Sequence, residues 1–309
     1  MKKLVNTTLA MIFSLAVFSC QEELEVVQVV NEEFDEITEI EIESGFLEVT
    51  YQGIEGKTTV SMEGKLESSR SGKFRIDYEL DETKLKVRLD QNGPFGGGRN
   101  RGHIFISGPL EMDLEVDGGS GRVFLSGVKH SDMKVAMGSG SLEIQDINVG
   151  NMDIQVGSGS IFGYDLKGNL RAQAGSGKIA LNTILGNVNI VASSGNVELS
   201  KIHGSLNSEI SSGRLQMRDV AEIQSIKISS GMVEGTRVGL GPKTVLTGSS
   251  GNFKIQTLSS IQDYNYDFQA GSGRIVIGES SSSGSLKINN GSPYTIRGNI
   301  SSGNIEIIQ

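Results

Sequence analysis

Residues 174–199, AGSGKIALNTILGNVNIVASSGNVEL, carry a pattern that runs through most of the chain. Gly175-Ser176-Gly177 is followed by apolar Ile179 and Leu181, and Ser193-Ser194-Gly195, 18 residues on, by Val197 and Leu199. Outward from here the tripeptide of Gly or Ser, then Ser-Gly, occurs eleven times, ending at Gly121, Gly140, Gly159, Gly177, Gly195, Gly213, Gly231, Gly251, Gly273, Gly284 and Gly303. The first seven steps are 19, 19, 18, 18, 18, 18 and 20 residues. A fixed short period is the mark of stacked repeats.

The second residue after each glycine is apolar in all eleven cases, and the fourth in nine, with Gly163 and Gly235 as the exceptions. The residue between them is mostly polar, as at Glu143, Glu198, Gln216, Glu234 and Lys254. Apolar, polar, apolar describes a strand with one buried face. The seventh residue is apolar in the first eight repeats, from Val128 to Leu258. A second alternating strand follows, as in Val188, Ile190 and Ala192, after a turn such as Gly168-Asn169, Gly186-Asn187 or Gly204-Ser205. The expected fold is all-β: a single-chain parallel β-solenoid, a right-handed β-helix with rungs of 18–20 residues. Parallel stacking at about 4.8 Å per rung makes ten rungs a rod on the order of 50 Å long.

Residues 34–117 are rich in alternating β patterns without the clean period, and read as an irregular N-terminal cap with the first rungs. Residues 118–309 are the solenoid repeats. The insert 90–102, DQNGPFGGGRNRG, reads as a long flexible loop.

The amino terminus reads as an address. Lys2 and Lys3 precede an apolar stretch, residues 9–18, too short to span a bilayer. Val17-Phe18-Ser19-Cys20 resembles the bacterial lipobox, so 1–19 is expected to be a lipoprotein signal peptide and Cys20 the lipidated residue. Cys20 is the single cysteine, which leaves no disulfide framework and no thiolate zinc site. Gln21, Glu22 and Glu23 resemble the surface-export signal of Bacteroidetes lipoproteins, implying an outer-membrane, cell-surface protein. Residues 21–50 hold 11 acidic and no basic side chains, whereas beyond residue 50 there are 26 of each. Residues 20–33 therefore read as an acidic tether beneath a neutral body.

Together, the lipoprotein signal, the β-rich lead-in and the GSG or SSG turns followed by Ile, Val or Leu at alternate positions resemble the head GIN family ("putative auto-transporter adhesin"). They also resemble the related "putative adhesin" β-strand repeat family. The likeness covers about residues 34–309. It implies an adhesive role and brings no catalytic or binding residues.

Several chemistries are excluded by the same pattern. Ala174-Gly-Ser-Gly-Lys178 is no phosphate loop, because Ile179 replaces the Ser or Thr and a strand replaces the helix. A calcium roll needs aspartate where the eleven apolar residues stand. A net charge of −9 speaks against nucleic acid as a partner. His103, His130 and His203 are isolated. No cofactor and no catalytic set is expected, and the chain reads as a non-enzyme. The remaining candidate contacts are Lys178, Arg214 and Arg274, in the polar column directly after the turn, and the Tyr264-Asn-Tyr266 pair. Their expected ligand is an extracellular glycan or matrix protein. Two rival readings are a polysaccharide-active β-helix enzyme and a structural solenoid that self-associates through an open end at residues 305–308.

Overall fold

A computed structural model describes residues 23–70, 72–93 and 98–309. The signal segment, Cys20, Gln21 and Glu22 lie outside the described residues, as do residues 94–97 of the expected loop. Among the described residues there is no α-helix, and one short 3-10 turn spans Ile261–Asp263. None of their helices is long and apolar enough to cross a membrane.

The chain opens with β1 (Glu25–Phe34), β2 (Glu39–Gly45), β3 (Glu48–Ile54), β4 (Val60–Ser68), β5 (Phe74–Asp81) and β6 (Lys84–Gln91). It continues through β7 (Asn100–Pro109) and β8 (Asp113–Gly118) into two very long elements, β9 (Arg122–Leu185) and β10 (Val188–Thr257). The last are β11 (Asn265–Ser272), β12 (Ile275–Ile277), β13 (Ser280–Ser282), β14 (Ser285–Ile288) and β15 (Thr295–Ile308). All belong to one elongated, non-closed sheet.

The long elements bend at their glycines and stack. β10 lies parallel on β9 at an 18-residue offset, with Gly195 opposite Gly177, Val197 opposite Ile179 and Ile190 opposite Ala172. At Gly177, φ is +131° and an added Cβ would fall 1.7 Å from the Gly159 carbonyl oxygen. The corner therefore tolerates only glycine, for backbone conformation and for space together.

Six inward positions per repeat form one continuous apolar core: in one repeat Ile179, Leu181, Ile184, Val188, Ile190 and Ala192, all buried. Gly163 and Gly235 take the fourth-residue position because neighbouring side chains already fill it. A Cβ on Gly163 would meet Leu181 Cδ2 at 2.8 Å, and one on Gly235 Val238 Cγ2 at 3.1 Å. The second turn carries a ladder of hydrogen bonds: Asn151 donates to Asp132 at 3.0 Å, Asn187 to Asn169 at 3.2 Å, and the Ser205 hydroxyl to Asn187 at 2.9 Å. A third bend lies six residues after the turn glycine, where Asp146, Asp165, Thr183, Lys201, Asp219 and Arg237 all take φ between 53° and 59°.

At the amino end, parallel pairing continues from β9 to β3 and β8, then to β7 and β2. It ends where β4, β1 and β5 pair antiparallel. The acidic tether expected over 20–33 is corrected here: residues 25–34 are β1, zipped along β4 from Glu25–Ser68 to Phe34–Val60. Val30 is buried and Phe34 packs edge-on against Tyr78 at 5.8 Å, while Glu25, Glu32 and Glu33 face water. The acidic side chains belong to an edge strand, where charge discourages further pairing. Further along, Glu39 and Glu41 both grip Lys84 at 2.6 Å. Strands also claim both ends of the 90–102 insert, since β6 runs to Gln91 and β7 starts at Asn100.

The carboxyl end brings a second correction. β15 lies between β10 on one side and β11 with β12 on the other, parallel to all three. Ile300, Ile305 and Ile307 are fully buried. Residues 305–308 therefore end an interior strand, not an open edge, and the outer strands at this end are the short antiparallel β13 and β14. The chain passes over the end of the stack and folds back to fill the gap.

Candidate binding groove

Outward side chains on the strand after each turn stand at the first, third and fifth residues beyond the glycine. In successive repeats the third positions are Phe162, Ala180, Glu198, Gln216, Glu234 and Lys254, and the fifth are Tyr164, Asn182, Ser200, Arg218, Thr236 and Gln256. Parallel in-register stacking turns each set into a column. Between the columns runs an open groove of about 870 Å³ that crosses all six repeats and reaches Ile308 of β15.

One end of the groove is aromatic, with Phe162 half-buried and Tyr164 38 % exposed. The rest is polar and partly pre-paired. Lys178 Nζ meets Glu198 Oε2 at 2.7 Å, and Gln216 Nε2 donates to Glu234 Oε2 at 3.1 Å. Arg214 Nε stands 4.0 Å from Glu234. Arg218 and Lys254 are exposed and make no ion pair or side-chain hydrogen bond with another described residue.

The structure sorts the candidates named from sequence. Lys178 lines the groove and Arg214 borders it through Glu234. Arg274 lies elsewhere, beyond β15, with its guanidinium on Ser281 at 3.1 Å and its backbone N–H on Asn304 at 3.0 Å. Tyr264 is half-buried and donates its hydroxyl to the Leu240 carbonyl at 2.8 Å. Tyr266 is corrected outright: it is 1 % exposed, packs on Phe268, and burial pushes its phenol up to about 12. As a core residue it cannot meet a ligand.

Missing from that set were Phe162, Tyr164, Arg218 and Lys254. Phe162 and Lys254 stand in the third-residue column; for Tyr164 and Arg218 the overlooked signal was the fifth-residue column, because a strand that exposes its first and third residues also exposes its fifth. Glu198 and Glu234 are two repeats apart with Gln216 between them, so the groove offers a ladder of hydrogen-bonding groups. Among the described residues, no group of three or more His, Cys, Asp or Glu is placed to hold a metal ion.

Several solved structures are similar to this chain. One named "putative adhesin" from Bacteroides fragilis has 11 % identity, a TM-score of 0.43, and coverage of 91 % of this chain and 97 % of its own. A "putative lipid binding protein" from Parabacteroides distasonis has 13 % identity, a TM-score of 0.45 and the same coverage. A "putative cell adhesion protein" from Clostridium sporogenes has 15 % identity and a TM-score of 0.28 over 93 % of this chain and 100 % of its own. No curated protein matches the chain. Residues 37–308 match the model of one family from the second cap strand to the last residue of β15. The chain belongs to the Toastrack DUF4097 family.

Proposed function

We propose that this protein is a lipid-anchored, surface-displayed binding module without catalytic activity, an adhesin-like or scaffolding rod. The observation that carries the reading is the groove: six repeats supply equivalent outward positions to one continuous channel, aromatic at one end and polar along the rest. Equivalent contacts repeated along an axis suit an extended ligand, and weak contacts add when they engage together. This is the adhesive role that the head GIN resemblance implies. We read the stack as a right-handed parallel solenoid with rungs of 18–20 residues.

Anchoring would occur through a diacylglyceryl group on Cys20, with Gln21, Glu22 and Glu23 directing export to the outer face of the outer membrane. Because β1 starts at Glu25, only residues 21–24 would separate the lipid from the cap, at most about 15 Å of chain. The cap would then stand close to the bilayer and the stack would project outward.

Two experiments test this. Metabolic labelling with a palmitate analogue should mark the protein and be lost on Cys20→Ala. A glycan and matrix-protein array probed with residues 21–309 should return a saturable ligand, weakened by substitution of Tyr164 or Gln216. Uniformly blank arrays would remove the adhesin reading.

A further inference from the structure

Charge along the groove alternates from one repeat to the next. Lys178 belongs to the repeat that begins at Gly177, Glu198 to that of Gly195, Arg218 to that of Gly213, Glu234 to that of Gly231, and Lys254 to that of Gly251. The cations thus recur every second repeat, about 10 Å apart along the stacking axis but in different columns, Lys178 first after its glycine, Arg218 fifth and Lys254 third, with a carboxylate in each repeat between them. Lys178 is held by Glu198, whereas Arg218 and Lys254 have no ion-pair or side-chain hydrogen-bond partner among the described residues and are exposed in the groove. On a chain of net charge −9, a groove lined by Lys178, Arg218 and Lys254 against Glu198 and Glu234 is a locally cationic strip.

We propose that the groove binds a linear polysaccharide built of disaccharides with one acidic group each, lying along the stacking axis. The inference rests on the reading of the groove as a binding site and names the class of ligand. An extended sugar chain advances by roughly one repeat spacing per unit, so a disaccharide spans two repeats. Its carboxylate or sulfate would meet Arg218 and then Lys254 at successive disaccharides, in charge-assisted hydrogen bonds. The neutral sugar between them would donate hydroxyl or amide hydrogens to Glu198 and Glu234. Lys178 and Gln216 already orient those carboxylates, at 2.7 and 3.1 Å. At the aromatic end, Tyr164 would stack on the apolar face of a terminal sugar.

The test is calorimetry on residues 21–309, which contain every described strand, with a hyaluronan decasaccharide, a chondroitin decasaccharide and the carboxyl-reduced, uncharged hyaluronan decasaccharide as probes. The expected result is binding of an acidic probe that weakens with salt. Arg218→Ala and Lys254→Ala should each lose about tenfold in affinity. Lys227→Ala should change nothing, because Lys227 pairs with Glu209 outside the groove at 2.7 Å. Equal binding of the uncharged probe, or no effect of Arg218→Ala and Lys254→Ala, overturns the acidic ligand and leaves the binding module standing. No binding of any probe, with a matrix protein found on the array, also overturns it and leaves the module. Blank results on both remove the two together.

Discussion

The Asn304 backbone N–H and its side-chain amide both donate to Asn252 Oδ1, each at 3.1 Å, across 52 residues of sequence. Asn304 Oδ1 in turn accepts the Arg274 backbone N–H at 3.0 Å. The spatial order at this end is therefore Asn252, Asn304, Arg274, which is not the order of the chain. The carboxyl-terminal strand is a closing element, paired on both sides.

Ile300 and Ile305 should consequently behave as central core residues. Alanine at either position should cost about 2–5 kcal/mol, the usual range for a buried large-to-small change. Ile190→Ala, in the middle of the stack, is the reference. Urea denaturation of the three variants should give comparable losses. A cost below about 1 kcal/mol at Ile300 would place β15 on an open edge instead.

The same tripeptide has different stringency by position. At Gly213, φ is +134° and a Cβ would fall 1.9 Å from the Gly195 carbonyl oxygen, whereas Gly284, at φ +110°, has nothing within 4 Å. Gly213→Ala should cost more than about 4 kcal/mol or prevent folding. Gly284→Ala should cost only backbone strain, about 1–2 kcal/mol. Thermal melts and soluble yield of the two variants give the comparison.

Ser208 is buried among the inward positions and its hydroxyl has no hydrogen-bond partner. An unsatisfied buried polar group costs about 1–3 kcal/mol. Ser208→Ala should therefore raise the melting temperature, an unusual sign for a core truncation. A lower melting temperature would mean that the hydroxyl is satisfied.

Thr183 holds φ at 59° in the column of third bends, and it is the one β-branched residue there. Left-handed backbone strains L residues by about 1–2 kcal/mol and suits asparagine better. Thr183→Asn should stabilise the protein by about 0.5–1 kcal/mol. Chemical denaturation checks it, with an unchanged midpoint as the contrary result.

Lys65 and Arg101, hydrogen-bonded to Glu67, hold its carboxyl below the usual carboxylate range. A group whose pKa is lower folded than unfolded binds fewer protons in the folded state. Its contribution is complete above the unfolded value of about 4.3 and is lost as pH falls through the folded value. Glu67→Gln should flatten the acid limb of the stability profile below about pH 4.3 and leave its shape near neutrality unchanged.

Local pattern made much of this legible. The apolar residues at Ile179, Leu181 and Ile184 and the glycines at Gly177 and Gly195 announce buried faces and tight corners, because strand alternation and corner sterics are short-range rules. The third bend left a weaker mark: Asp146, Asp165 and Asp219 are a type that favours positive φ, but Thr183, Lys201 and Arg237 at the same position are not. Likewise residues 21–50 carry so many acidic side chains that β1 reads as tether, and only its pairing with β4 and the contact of Phe34 with Tyr78 of β5 show it as part of the cap.

By itself the sequence determined the repeat, its period of 18–20 residues and which residues of the regular repeats point inward. Each of those is set within about one repeat of chain. The tertiary structure alone decided the rest: β1 as an edge strand, Tyr266 as core, β15 as the filler between β10 and β11, and the groove that gathers Tyr164, Arg218 and Lys254. Those features depend on which edge pairs with which across tens of residues. Period-2 alternation is identical for any partner, so it carries no information about the choice.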